Sequence, residues 1–95
     1  MLILFGISLS FSLKAQINAD FSASQTKGCA PLVVTFTNLS TGSTTWNWNF
    51  GNSSTSTNQT PSTIYTIPGV YSVTLTATNG STSDVEIKTG YIIVY

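Results

Sequence analysis

From Ile17 onward the chain alternates apolar and polar residues, and no stretch repeats at a helical spacing. "INADFSAS" places Ile17, Ala19, Phe21 and Ala23 on one side. "PLVVTFTNLS" does the same with Leu32, Val34 and Phe36, leaving Thr35 and Thr37 opposite. "TTWNWNF" aligns Trp46, Trp48 and Phe50, and "GVYSVTLTATNG" aligns Tyr71, Val73, Leu75 and Ala77 against Ser72, Thr74, Thr76 and Thr78. In "SDVEIKTGYIIVY" the pattern points Val85 and Ile87 inward, with Asp84 and Glu86 as solvated groups opposite, and then Ile92 and Val94 inward. Period two over four to eight residues predicts half-buried strands. Ile64 and Tyr65 mark a further short strand between Pro61 and Pro68.

Turn residues fall between these runs: Gly28 to Pro31, Ser40 to Ser43, Gly51 to Pro61, Pro68-Gly69, Asn79 to Ser83 and Thr89-Gly90. Glycine allows positive φ, proline fixes φ, and asparagine bonds its own backbone. Six or seven short strands at this spacing predict an all-β fold, an antiparallel β-sandwich of about seven strands, with a barrel as the rival. Asn52 to Thr60 contains no apolar residue and is expected to be a solvated loop or a weak edge strand. The hydrophobic stretch "YIIVY" would offer a route to a concentration-dependent dimer if it lay at a sheet edge. Otherwise the isolated domain is expected to be monomeric.

The first residues obey a different rule. "LILFGISLSFSL" is a continuous apolar run, too short for the roughly 20 residues a spanning helix needs, but suited to the core of a secretory signal. Residues 1–15 are therefore expected to be a signal peptide cut after Ala15, though the run lacks a basic start and Leu13 is bulky for its place. Residues 16–95 would be the mature domain, secreted or held at the cell surface, with membrane contact only through the signal segment.

Composition narrows the chemistry. Only 6% of the 95 residues are charged, the net charge is zero, and there is no histidine or arginine. No basic patch is available for nucleic acid. Serine and threonine supply 30 residues, so neutral hydroxyls and amides carry solubility. The mature segment has two lysines against three acids. Without histidine, serine has no usual base and Cys29 no imidazole to make it a thiolate. Zinc lacks its usual ligands, and Asp84 and Glu86 are not a facing pair fit for glycoside hydrolysis. No enzymatic activity and no cofactor are expected. Cys29, the single cysteine, can form no internal disulfide; it is expected to be buried as a small apolar group, the alternative being a thiol available to another chain.

The stretch from "WNWNFGN" to Asp84 resembles a PKD domain, the immunoglobulin-like module named for polycystic kidney disease protein. Trp48, Phe50 and Gly51 match that family's W-D-F-G-D-G strand and turn. Pro61 and Tyr65 match its next element, and Pro68, Gly69, Tyr71, Val73, Leu75 and Asn79 match P-G-x-Y-x-V-x-L-x-V-x-N. Ala30, Pro31, Leu32, Val34 and Phe36 fit the usual A-P-L-x-V-x-F strand, and "GYIIVY" the closing one. The resemblance covers about residues 17 to 95. It implies an immunoglobulin-like sandwich with Phe36, Trp48, Phe50, Tyr65, Tyr71, Val73, Leu75, Ile92 and Val94 as core, and Gly51, Asn52, Pro68 and Gly69 as turn residues. Asn49 and Asn52 stand where the family has aspartates, and Ser53 where it has a second glycine. Calcium wants several oxygens including carboxylates, so the asparagines are expected to bond backbone around Gly51 rather than hold a metal.

Two function classes remain open. One is a non-catalytic extracellular spacer or protein-interaction module, part of a larger protein. The other is an accessory glycan-binding module that helps a secreted enzyme hold polysaccharide, with Trp46, Tyr91 and Tyr95 as candidate contacts. Four glycan-acceptor patterns, beginning at Asn38, Asn52, Asn58 and Asn79, arise easily by chance in such a sequence.

Overall fold

The structure is a computed structural model that describes residues 17–95. The expected signal peptide, residues 1–15, lies outside them. No helix forms among the described residues. Eight strands do: β1 (Phe21–Ala23), β2 (Lys27–Gly28), β3 (Leu32–Asn38), β4 (Thr45–Asn49), β5 (Thr55–Ser56), β6 (Ser62–Tyr65), β7 (Gly69–Thr78) and β8 (Ser83–Val94). They build two sheets, one ordered β1-β3-β6 and the other β2-β8-β7-β4-β5. The count differs from expectation through the two-residue elements β2 and β5, the latter in the stretch expected as a loop or weak edge strand, and through β8, which joins two runs expected on either side of a turn at Thr89-Gly90. One pairing is not antiparallel: β2 runs parallel to β8, with Lys27 opposite Ile93 and Gly28 opposite Val94.

The two sheets face each other across aromatic rings. Trp48 is fully buried and meets Phe21 edge-on at 5.2 Å, Phe36 at 5.5 Å and Phe50 at 6.1 Å between ring centres. Val34, Val73, Leu75 and Ile92 are fully buried around this group. Burial of such rings is the main driving force available to a small domain. Trp46 shares the inward side of β4 with Trp48 but only packs half-buried against the core. Tyr71 is also half-buried; its ring lies 4.6 Å from that of Tyr65.

The first half of β8 reverses the expected orientation. Val85 and Ile87 are exposed, at 47% and 58%, while Asp84, Glu86 and Lys88 turn toward the partner sheet. The reason is continuity. β8 runs unbroken through Gly90, so the inward side set by Ile92 and Val94 propagates back to every second residue. The sheet absorbs the glycine as a bulge: Tyr71 pairs with Ile92 but Val73 with Lys88. Two extra residues are accommodated on β8, and the alternation is preserved. Gly90 sits there at φ +61°, donating its N–H to Ser72 Oγ at 3.0 Å.

Two other expectations change. Cys29 is exposed rather than buried, because it lies in the turn between β2 and β3, outside either layer. The "YIIVY" segment is not a free edge. It lies between β7 and β2, and its end is tied by Ile93 N–H to Thr26 O and Tyr95 N–H to Gly28 O. The edge of β8 left uncovered by β2 carries the inward-pointing Asp84, Glu86 and Lys88, a device that discourages further strand pairing.

Candidate functional site

The turn after β4 is built by side chains that stand in for backbone partners. Asn49 Oδ1 accepts from Gly51 N–H at 3.0 Å. Asn52 Oδ1 accepts from Ser54 N–H at 3.1 Å. The amide end of Asn52 reaches the other sheet, donating to Ile64 O at 3.0 Å and Thr63 Oγ1 at 3.1 Å. Asn52 therefore clips the β4–β5 turn to β6 through both ends of its amide. Tyr65, buried on β6, adds a second tie by donating its hydroxyl to Phe50 O at 2.9 Å.

This explains an amide where the resemblance calls for a carboxylate. An ionised aspartate has no N–H to offer Ile64 O. Asn52→Asp is expected to cost about 1–3 kcal/mol, since it loses a donor and sets an anion against a carbonyl. Urea unfolding at neutral pH measures the loss; as the introduced carboxyl protonates on acidification, part of it should return.

Between this turn and the β6–β7 corner lies an open concavity of about 390 Å³, lined by Gly51, Asn52, Ser53, Ser54, Ile64, Thr66, Ile67 and Tyr71. Ser53 adopts φ +72°, where the family pattern has glycine. Tyr71 closes the corner by donating its hydroxyl to Ile67 O, four residues back across Pro68-Gly69. Tyrosine corners of this kind recur in immunoglobulin-like sandwiches. The concavity contains no carboxylate and no ammonium group, so it offers hydroxyls, amides and one ring.

Along β8, on the far side of β7 from that turn, the acids come together. Lys88 Nζ lies 3.6 Å from Asp20 Oδ1 and 3.4 Å from Glu86 Oε2. It also stands 5.3 Å from the Phe21 ring centre and 5.6 Å from that of Tyr91. Asp84 Oδ2 accepts from Ala19 N–H at 2.8 Å. The sequence places Asp20 far along the chain from Asp84 and Glu86; the fold makes them neighbours, and an ammonium group occupies the space between two of them. Among the described residues no group of three or more His, Cys, Asp or Glu could hold a metal ion.

The candidate glycan contacts are partly engaged. The indole N–H of Trp46 donates to Ser43 Oγ at 3.0 Å. Tyr91 meets Phe21 edge-on at 5.9 Å and has Lys88 by its ring. Tyr95 is 60% exposed. On the outer face of the larger sheet the threonine row of β7 was expected, but the aliphatic residues of β8 beside it were not. Thr45, Asn47 and Asn49 on β4 align with Thr78, Thr76 and Thr74 on β7, and these with Ser83, Val85 and Ile87 on β8. Val70 and Ile93, exposed at 68% and 37%, pair across the same face. Reading β8 as a single alternating strand would have found its aliphatic residues there.

Two groups make the fold sensitive to alkali. Burial, helped by the neighbouring Tyr71, pushes the Tyr65 phenol well above its ordinary value of 10.0. For Lys88, desolvation works against the charge, but the hydrogen bond to Glu86 and the charges of Asp20 and Glu86 outweigh it and raise it above 10.5. Both groups hold their protons more tightly folded than unfolded. Their contribution is complete below the unfolded values and drains away as pH rises through and beyond them. Denaturant midpoints are expected to be level from neutrality to pH 9 and to fall above pH 10. A flatter curve for Tyr65→Phe would assign that part to the phenol.

Comparison with known proteins agrees with this architecture. The PKD domain family model matches residues 14–94. The PKD1 domain of the Vibrio cholerae metalloprotease PrtV is 36% identical, with a TM-score of 0.64 over 80% of this chain and 93% of that one. The PKD1 domain of Vibrio anguillarum Epp is 27% identical, with a TM-score of 0.68 over 83% and 95%. A solution structure from Methanosarcina mazei is 32% identical, with a TM-score of 0.64 over 82% of this chain and 54% of that one. No curated protein sequence matches. With its sandwich, its buried Trp48, its tyrosine corner and a family match across nearly all its length, the chain belongs to the PKD domain family.

Proposed function

We propose that this domain is a non-catalytic extracellular module, a spacer or protein-interaction domain within a larger secreted or cell-surface protein. The outer face of the larger sheet carries the reading. Val70, Val85, Ile87 and Ile93 are exposed there beside rows of threonine and asparagine. Exposed aliphatic groups gathered on one face mark a contact surface for another protein. The PKD1 domain of PrtV, itself part of a metalloprotease, supports a place beside other domains in a larger protein.

The test is retention of the domain on immobilised surface proteins from the source cells, compared with a Val85→Lys, Ile87→Lys double variant. Both positions are exposed, so the variant should keep its thermal midpoint and lose retention. Undiminished binding by a folded variant would remove the face from consideration. Binding by neither protein would leave the spacer role.

The glycan-binding alternative draws on the concavity by Tyr71, whose uncharged hydroxyl and amide lining suits a neutral sugar. Here Trp46 and Tyr91 would be outlying contacts. A pull-down on insoluble polysaccharides distinguishes the two readings: the double lysine variant should leave glycan retention unchanged.

A further inference from the structure

The turn between β7 and β8 carries reactive chemistry of its own. It reads Asn79-Gly80-Ser81-Thr82, and Asn79 is the one asparagine in the sequence that precedes a glycine. Four donors converge on its side-chain oxygen. Ser81 N–H approaches Asn79 Oδ1 at 3.0 Å and Thr82 N–H at 2.9 Å. The hydroxyls of Ser81 and Thr82 approach it at 3.2 Å and 3.3 Å. Gly80 is exposed at φ +97°, and a Cβ placed on it would meet nothing within 4 Å.

We propose that Asn79-Gly80 is a site of self-catalysed deamidation, with the turn acting as its own oxyanion hole. A solvent base takes the proton from the Gly80 amide nitrogen, which attacks Asn79 Cγ. The carbonyl π pair moves onto Oδ1, where the four donors meet the developing negative charge. Donors already aimed at such an oxygen need no reorganisation during reaction. When the carbonyl re-forms, the Cγ–Nδ2 bond breaks and the amide leaves as ammonia, protonated by water. The product is a five-membered succinimide. Water then opens one of its two carbonyls, giving an aspartyl or an isoaspartyl residue at position 79. Overall, one water is consumed and one ammonia released.

Glycine matters because no side chain obstructs the attacking nitrogen. The other six asparagines precede Ala19, Leu39, Trp48, Phe50, Ser53 and Gln59, each of which presents one. The modification would add a negative charge to an uncharged turn. In the isoaspartyl form it would also lengthen the backbone of a hairpin held by Asn79 N–H to Thr82 O.

The experiment is incubation of the purified protein in mildly alkaline buffer at physiological temperature, with peptide mapping at intervals. Deamidation adds about 1 Da, and asparagine is among the residues most prone to heat damage. Position 79 should be modified at least about tenfold faster than any other asparagine, with isoaspartate detectable there. Gly80→Ala should slow it. A Ser81→Ala, Thr82→Ala double variant, with an unchanged circular dichroism spectrum, separates catalysis from mere exposure: it should react several-fold more slowly. Equal rates at all seven asparagines would overturn the proposal. So would acceleration in the double variant, which would mean that the donors only clamp the side chain.

Discussion

Trp48→Ala is expected to leave the domain largely unfolded at room temperature or to lower its thermal midpoint by well over about 10 °C. Replacing a buried tryptophan by alanine costs roughly 3–5 kcal/mol, and a domain of this size has roughly 5–15 kcal/mol in all. Each kcal/mol shifts the midpoint by roughly 4–8 °C in a domain of this length. The location makes the upper part of that range appropriate. The indole touches rings from both sheets, Phe21 and Phe36 on one and Phe50 just beyond β4 on the other side. Its N–H also donates to Asn58 O at 2.8 Å, holding down the otherwise polar β5–β6 loop. Trp48→Phe separates these roles. It keeps a ring but loses the donor, and should cost distinctly less. Calorimetry or denaturant unfolding of both variants checks the order; a mild effect of the alanine variant would mean that the two layers are held together elsewhere.

The second large effect arises where no side chain exists. Gly51→Ala is expected to destabilise by roughly 2–5 kcal/mol, because two penalties add. Gly51 has φ +82°, a conformation L residues adopt at a cost, and a Cβ there would lie 2.5 Å from the backbone oxygen of Ser72. That oxygen belongs to β7, so neither partner can move without disturbing the sheet. Gly80→Ala is the informative control. Gly80 has φ +97° but open space around it, so that change should show the conformational penalty without the clash. Similar losses in denaturant unfolding would refute the steric part of the argument.

Much of this fold was legible along the chain. The alternation in "PLVVTFTNLS", "TTWNWNF" and "GVYSVTLTATNG" corresponds to β3, β4 and β7, with inward residues where the period puts them. The period works because a strand between one core and water has to send alternate side chains to each. It failed at β8 for a definite reason. Thr89-Gly90 has the composition of a turn, but hydrogen bonding to β7 continues on both sides of it. Composition cannot distinguish a glycine that ends a strand from one that sits in a bulge.

The candidate sites were less legible. Asn52 was visible as a turn residue, but its grip on Ile64 O depends on the distance between two sheets. Lys88 could not be matched to Asp20 because 68 residues separate them. The parallel pairing that covers "YIIVY" involves two residues of β2 with no pattern of their own.

What the sequence determined by itself was local: strand positions, turn positions, a core of named aromatic and aliphatic residues, and a shortage of charge and nucleophilic chemistry. These come from side-chain period and composition, which each segment carries within it. The tertiary structure decided which edges are covered, which way β8 faces, and which distant polar groups meet. Those depend on strand order and register, and both are settled only when the sheets close on one another and every segment competes for the same buried space.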